Sequence, residues 1–188
     1  GNASIAFNNS GGYVAINNGR SISTSNQSVS FASTLASYGG TISTSGGLLS
    51  LVNLTLADYF SASTSGGNIS FSNVIANQTG YNPVGKMVTL DAGSGGVSFG
   101  NIVSTSADLT ATAGSMTFNG AWGGSTALGD VSLTSVSGVT LPSITTASGK
   151  SVSVVASGSS SDVTVGAGKA LSGGGAVTLQ AGRDVGLG

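Results

Sequence analysis

One stretch decides the fold: Gly66-Gly67-Asn68-Ile69-Ser70-Phe71-Ser72-Asn73-Val74. Its apolar side chains follow the spacing i, i+2, i+5. In an extended chain, residues i and i+2 share one face, and the odd step to i+5 requires a bend or bulge that returns the third side chain to the same interior. The spacing occurs five times, at Leu49, Leu51, Leu54; Ile69, Phe71, Val74; Val97, Phe99, Ile102; Val131, Leu133, Val136; and Val139, Leu141, Ile144.

Glycine usually precedes this signature. The positions are Gly46-Gly47, Gly66-Gly67, Gly95-Gly96, Gly114, Gly129 and Gly149, and they include the incomplete copies at Met116 and Val152. Because glycine adopts positive φ at no steric cost, it is typical of a corner that recurs once per turn of the chain. The first residues of successive copies are 20, 28, 19, 15 and 21 positions apart, which indicates a period near 20.

Short strands in units of this length cannot bury a core alone, but stacked units pair each strand with its equivalent above and below. The sequence therefore predicts an all-β chain folded as a right-handed parallel β-helix (β-solenoid), with about nine coils of ~20 residues. An antiparallel β-sandwich is the alternative. It would show longer strands and more hairpin signals than Asn18-Gly19 and Asn119-Gly120.

The composition excludes much familiar chemistry. Serine supplies 35 and threonine 19 of the 188 residues, charged residues reach only 6%, and histidine and cysteine are absent. A Ser-His-Asp triad, a Cys-His pair, a thiolate metal site and a disulfide framework are therefore excluded. The net charge of -1 indicates neither a nucleic-acid nor an anionic-membrane partner, and no apolar run approaches the ~20 residues of a membrane helix.

The repeats resemble the central β-helical region of filamentous-haemagglutinin-like exoproteins, the adhesins that Gram-negative bacteria export by two-partner secretion. The similarity is carried by residues 173–185, which match that family's phrase G-G-x-V-x-L-x-A-G-x-D-V, and by residues 66–74. The family's secretion domain carries Asn-Pro motifs, of which only Asn82-Pro83 occurs here, so we expect that domain to be absent.

This resemblance implies a non-catalytic structural and adhesive rod, secreted or exposed at the cell surface, that extends and presents binding sites. We expect residues 1–188 to form a single β-helical repeat segment, excised from a longer exported fibrous protein. The implied partners are a receptor or glycan on a host or neighbouring cell, and the remaining coils of the same filament. No cofactor, catalytic residue, nucleic acid or membrane insertion is expected.

Candidate ligand contacts lie where the repeat is irregular. The gap of 28 places about eight extra residues around Gln78 to Lys86, and such insertions emerge as loops, often on the binding face. Tyr81, with Asn82 and Lys86 beside it, would then contact a sugar or a protein; a loop without a ligand is the alternative. Trp122, among glycines, either contacts a ligand or caps the local core.

The alternative is a β-helical polysaccharide-degrading or carbohydrate-binding domain. Polysaccharide cleavage requires at least two carboxylates, or a carboxylate and an arginine or lysine, that converge in a cleft. The six aspartates are scattered, and we expect Asp130, Asp162 and Asp184 to form a ladder of turn residues along one corner. Calcium binding is not expected. Ice binding would need Thr-x-Thr pairs in register on every coil, and Thr110-Ala111-Thr112 is not expected to continue into Thr41-Ile42-Ser43.

Overall fold

The computed structural model describes residues 4–9 and 12–188, which form only β-strands and their connections. In chain order the strands are β1 (Ser4–Phe7), β2 (Tyr13–Asn17), β3 (Ser21–Ser23), β4 (Ser28–Tyr38), β5 (Gly40–Ser43), β6 (Leu49–Leu56), β7 (Phe60–Ser63), β8 (Ile69–Asn77), β9 (Met87–Asp91), β10 (Gly96–Phe99), β11 (Ile102–Ser104), β12 (Asp108–Ala113), β13 (Ser115–Phe118), β14 (Ala121–Trp122), β15 (Val131–Ser135), β16 (Val139–Leu141), β17 (Ile144–Thr145), β18 (Val152–Ala156), β19 (Val163–Val165), β20 (Leu171–Ser172), β21 (Val177–Ala181) and β22 (Val185–Leu187).

The strands stack in parallel as three walls of a β-solenoid with about nine turns and a spacing of ~21 residues, which confirms the predicted fold class. The first wall runs from β1 through the first halves of β4, β6 and β8 to β10 and β13, and β16, β19 and β22 lie beyond it as a separate sheet. The second wall contains β2, the second halves of β4, β6 and β8, and then β11, β14, β17 and β20. The third contains β3, β5, β7, β9, β12, β15, β18 and β21.

Alternate side chains of all three walls point inward and form one hydrophobic core. Because the pairing is parallel and in register, equivalent residues lie directly over one another. On the first wall, Phe71, Phe99 and Phe118 stack nearly parallel, with ring centroids 6.1 Å and 5.5 Å apart. The second wall adds a column that comprises Val14, Leu35, Leu54, Ile75, Val103, Trp122, Ile144 and Leu171.

The i, i+2, i+5 signature marks the corner between the first and second walls. Its odd step corresponds to a register shift, which lies between Phe31 and Thr34 in β4 and between Leu51 and Asn53 in β6. Leu54 and Ile144 are buried as predicted. In β8 the coil is one residue longer at this corner, so Ile75 takes the buried position and Val74 is only partly buried. In the copy at Val97, Val103 and not the predicted Ile102 is the residue paired with Ile75.

The copy at Val131 was wrong as a whole. Val131 and Leu133 belong to the third wall, and Val136 is 57% exposed instead of buried. The incomplete copy at Val152 belongs to the third wall as well. The residues that continue the first wall are Val139, Val163 and Val185. The short gap of 15 residues, from Met116 to Val131, therefore runs from a first-wall strand to a third-wall strand. Alternation alone could not distinguish the two walls, because buried and exposed residues alternate with period two in every wall.

Candidate functional site

The predicted insertion forms the loop of residues 78–86, between β8 and β9. Its two turns are closed by the Tyr81 N–H, which donates to the Gln78 carbonyl at 2.9 Å, and by the Lys86 N–H, which donates to the Pro83 carbonyl at 3.0 Å. Pro83 is buried under the loop. The extra residues explain the register step from Ile69 to Val97, which is 28 positions.

Tyr81 lies at the tip of this loop and is 50% exposed. Its ring contacts the ring of Tyr38, at the end of β4, with centroids 5.5 Å apart and planes at 83°. Tyr13 neighbours Tyr38 and is 51% exposed. Burial raises the pKa of the Tyr38 hydroxyl, and the neighbouring Tyr13 hydroxyl raises it further, so Tyr38 stays neutral at physiological pH. We call Tyr13, Tyr38 and Tyr81 the tyrosine cluster.

The spacing of three tyrosines along the chain is a sequence signal for the region of the tyrosine cluster. Tyr38, Tyr59 and Tyr81 are 21 and 22 positions apart, close to one turn of the solenoid; Tyr38 ends the second-wall part of β4, and Tyr59 and Tyr81 come shortly after the ends of β6 and β8. The Tyr59 hydroxyl donates a hydrogen bond to Asn18 Oδ1 at 3.3 Å. Spacing thus placed the tyrosines on one corner, whereas the direction of each ring depended on local packing.

The other predicted loop residues fasten the loop to neighbouring coils. Ser106 Oγ donates to Asn82 Oδ1 at 2.7 Å, and Asn77 Nδ2 donates to Ser106 Oγ at 3.1 Å. Lys86 Nζ lies 3.1 Å from Asp58 Oδ1, and this hydrogen bond lowers the pKa of the Asp58 carboxyl. Lys86 therefore holds the loop and its charge is compensated.

Trp122, the fourth candidate, lies elsewhere and is 1% exposed. Its ring meets Phe99 and Phe118 edge to face, with centroids 4.7 Å and 5.3 Å away. It occupies the core column between Val103 and Ile144, so the structure places it in the core and away from any ligand surface. Its indole N–H has no hydrogen-bond partner in the described structure.

Two pairs of aspartates do come together, although the sequence predicted a single ladder. Asp108, the first residue of β12, and Asp130, directly before β15, lie on successive coils, and Lys150 Nζ is 2.9 Å from a carboxylate oxygen of each. Asp162 and Asp184 lie before β19 and β22, with Arg183 bridging them. The predicted ladder of Asp130, Asp162 and Asp184 on one corner was wrong because these residues precede two different walls.

These carboxylates are used by the backbone. Asp108 Oδ1 accepts the Asp130 N–H at 2.8 Å, and Asp130 Oδ1 accepts the Ser151 N–H at 2.7 Å. The Ser151 N–H and Lys150 lower the pKa of Asp130, whereas a general acid needs a raised one. Within residues 4–9 and 12–188, no group of three His, Cys, Asp or Glu side chains could hold a metal ion.

The outer face of the third wall carries one continuous hydroxyl column, but the Thr-x-Thr pairs do not continue, as the sequence predicted. It comprises Ser21, Thr41, Ser61, Thr89, Thr110, Ser132, Ser153 and Thr178. The neighbouring column, two residues along each strand, is interrupted by Asp91, Val155 and Gln180. The paired Thr-x-Thr array that an ice-binding face requires is therefore incomplete.

Comparison of the chain with protein-family models, curated proteins and solved structures finds no match. In the part of the chain that the structure describes, no helix could span a membrane.

Proposed function

We propose that this chain is a structural and adhesive segment of a filamentous adhesin, secreted or exposed at the surface of a Gram-negative bacterium. The observation that supports the proposal is the parallel ladder, which runs through all the coils. In such a fold each coil contacts mainly its neighbours, so added coils lengthen the molecule by about 4.8 Å each. A rod of this kind gives reach, and loops such as residues 78–86 present contacts on its side.

The relationship to filamentous-haemagglutinin-like exoproteins and to two-partner secretion belongs to this proposal. It is supported by the glycine-rich phrase at residues 173–185 and by the coil at residues 66–74. The proposed partners are a receptor or glycan on a host or neighbouring cell, and further coils of the same filament. The proposal includes no cofactor, no nucleic acid and no membrane insertion by this segment.

A second candidate function, polysaccharide cleavage, is favoured by one observation, the approach of Asp108 and Asp130 to the shared Lys150. Two facts weigh against it. The carboxylate oxygens already accept backbone N–H groups of the next coil, and Asp130 has a lowered pKa. This arrangement favours a charge ladder that joins coils.

The test uses beads coated with the 188-residue chain and matched beads coated with the heat-unfolded chain. We expect the folded chain alone to retain beads on cultured host cells, and we expect no reducing ends when it is incubated with polysaccharides. Equal retention by both preparations would contradict the adhesive role. Release of reducing ends that Asp130→Asn abolishes would establish the enzyme instead.

A further inference from the structure

The exposed aromatic side chains of this molecule gather in one place. The phenylalanines at positions 31, 60, 71 and 99 are buried in the core, whereas Tyr13 and Tyr81 are each about half exposed. The ring of Tyr81 contacts the ring of Tyr38, and the Tyr13 hydroxyl lies close to the Tyr38 hydroxyl, so the three side chains lie together between β2 and the loop of residues 78–86. The inserted residues are what bring Tyr81, in a later coil, into contact with the end of β4.

The tyrosine cluster is held in place before any ligand arrives. Tyr81 is fixed by the turn to Gln78, and the loop is fastened by Asn82 to Ser106 and by Lys86 to Asp58. Tyr81 remains half exposed despite its perpendicular ring contact, so part of its ring is open to a ligand. A preset surface loses little conformational entropy on binding, and tyrosine gives a large, rigid contact area with a polar hydroxyl.

The side chains that fasten the loop beside the cluster are uncharged or paired, and several of them carry hydrogen-bonding groups. Lys86 is paired with Asp58, and Tyr38 stays protonated. Gln78 accepts a hydrogen bond from Thr55 Oγ1 at 2.5 Å through its Oε1, which leaves its amide hydrogens free of that contact. An uncharged ring with one apolar face and hydroxyl groups around its edge fits this combination of aromatic faces, amides and hydroxyls.

We propose that the tyrosine cluster binds a neutral oligosaccharide, with a pyranose ring stacked on Tyr81 and its hydroxyl groups bonded to the surrounding amides and hydroxyls. The inference rests on the adhesive role proposed above and names its ligand class. Lys86 offers a charged sugar little additional attraction, because it already has a carboxylate partner.

The experiment measures binding of the 188-residue chain to an array of neutral and sulfated oligosaccharides, followed by titration of the retained sugar. We expect neutral oligosaccharides to be retained, and we expect Tyr81→Ala to raise the dissociation constant about tenfold or more. Tyr81→Phe keeps the ring and should stay within about threefold of the original. Val136→Ala is the matched control, since Val136 is equally exposed but lies far along the chain. The emission of the buried Trp122 reports whether each variant is folded.

Several results would overturn the inference. On the array, these are the retention of no neutral sugar, the retention of sulfated sugars only, or unchanged binding by Tyr81→Ala. In the bead assay, adhesion that persists after the cells are treated with glycosidases would indicate a protein receptor. Bead adhesion independent of Tyr81 would leave the rod and its adhesive role standing while this inference falls. If beads coated with the folded original chain do not adhere to cells at all, the proposed adhesive role itself is contradicted.

Discussion

At the scale of single residues, glycine serves two purposes in this solenoid. Gly46 and Gly66 have φ of 108° and 118°, in the region that favours glycine, as the corner hypothesis predicted. Gly67 does not have positive φ. A Cβ there would lie 2.2 Å from the carbonyl oxygen of Gly47 in the preceding coil, and Gly95 repeats this relationship to Gly67. Close approach of stacked backbones therefore requires glycine at positions 47, 67 and 95.

Threonine completes the same corner. Thr44 and Thr64 are fully buried, and the Oγ1 of each donates to the carbonyl three residues ahead, at Gly47 and Gly67. Thr24 donates in the same way to Gln27. The sequence thus repeats Thr-Ser-x-x every 20 residues in three successive coils, beginning at Thr24, Thr44 and Thr64. The apolar signature alone did not reveal this repeat.

Replacing Gly67 with alanine should destabilise the fold strongly. The new Cβ would meet backbone atoms that cannot move independently of the stack, and overpacking of this kind costs roughly 1–3 kcal/mol. Chemical denaturation monitored by circular dichroism measures the change. Gly124→Ala is the control, because a Cβ there meets nothing within 4 Å. Equal stability of the two variants would show that the stacked glycines are not constrained by contact.

At the scale of the strand and its corner, charged residues act as connectors between coils. The Asp108, Asp130 and Lys150 group lies where β12, β15 and β18 of the third wall begin, and each carboxylate accepts an N–H from the next coil. Ser151 and Lys150 lower the pKa of Asp130, and Asp130 is the principal cause of the raised pKa of Lys150. The ladder is thus most favourable with the carboxylates ionised and the lysine protonated.

The stability of the chain should therefore fall in acid. Because the pKa of Asp130 is lower in the folded chain, its contribution is present above the ordinary aspartate pKa of about 3.9 and is lost as the pH falls through the folded value. Asp58 and Asp162 have lowered pKa values as well and act in the same direction. Thermal unfolding between about pH 6 and pH 2.5 measures this loss.

Asp130→Asn isolates the contribution of one rung. The amide oxygen can still accept the Ser151 N–H, but the attraction to Lys150 is lost, so we expect a loss of about 1 kcal/mol or less at neutral pH and a shallower fall in acid. Asp91→Asn is the matched control, since Asp91 has no ion pair in the described structure and accepts the Gly93 N–H. Identical acid profiles for Asp130→Asn and the original chain would contradict the assignment.

At the scale of the whole molecule, stability depends on having a neighbouring coil on both sides. The coils that contain β6 and β8 are covered on both sides and carry fully buried Leu49, Leu54 and Ile69. In the last coil of this chain, Val177 and Val185 are each 48% exposed and Leu187 is 82% exposed. Burial, and with it local stability, therefore decreases toward the last coil.

Amide hydrogen exchange of the 188-residue chain should follow this gradient. We expect the slowest exchange in β6 and β8 and much faster exchange in β20, β21 and β22, because opening the last coil exposes little additional apolar surface. Mass spectrometry of peptides from both regions measures the difference. Uniform protection along the chain would show that the last coil is covered, as it would be if two chains associated end to end, and sedimentation would then show the larger species.

The sequence by itself determined the class of fold, the alternation of buried and exposed residues and the site of the inserted loop. These features are local, because strand period, glycine corners and insertions are written in neighbouring residues. Only the tertiary structure decided which residues lie over one another. Because β8 has one extra residue at its corner, Ile75 and not Val74 lies in the core column. The stacking of coils also brings the Trp122 ring into edge-to-face contact with Phe99 and Phe118. The contact between Tyr38 and Tyr81 likewise depends on how far the loop folds back, which is set by stacking between coils and not by spacing along the chain.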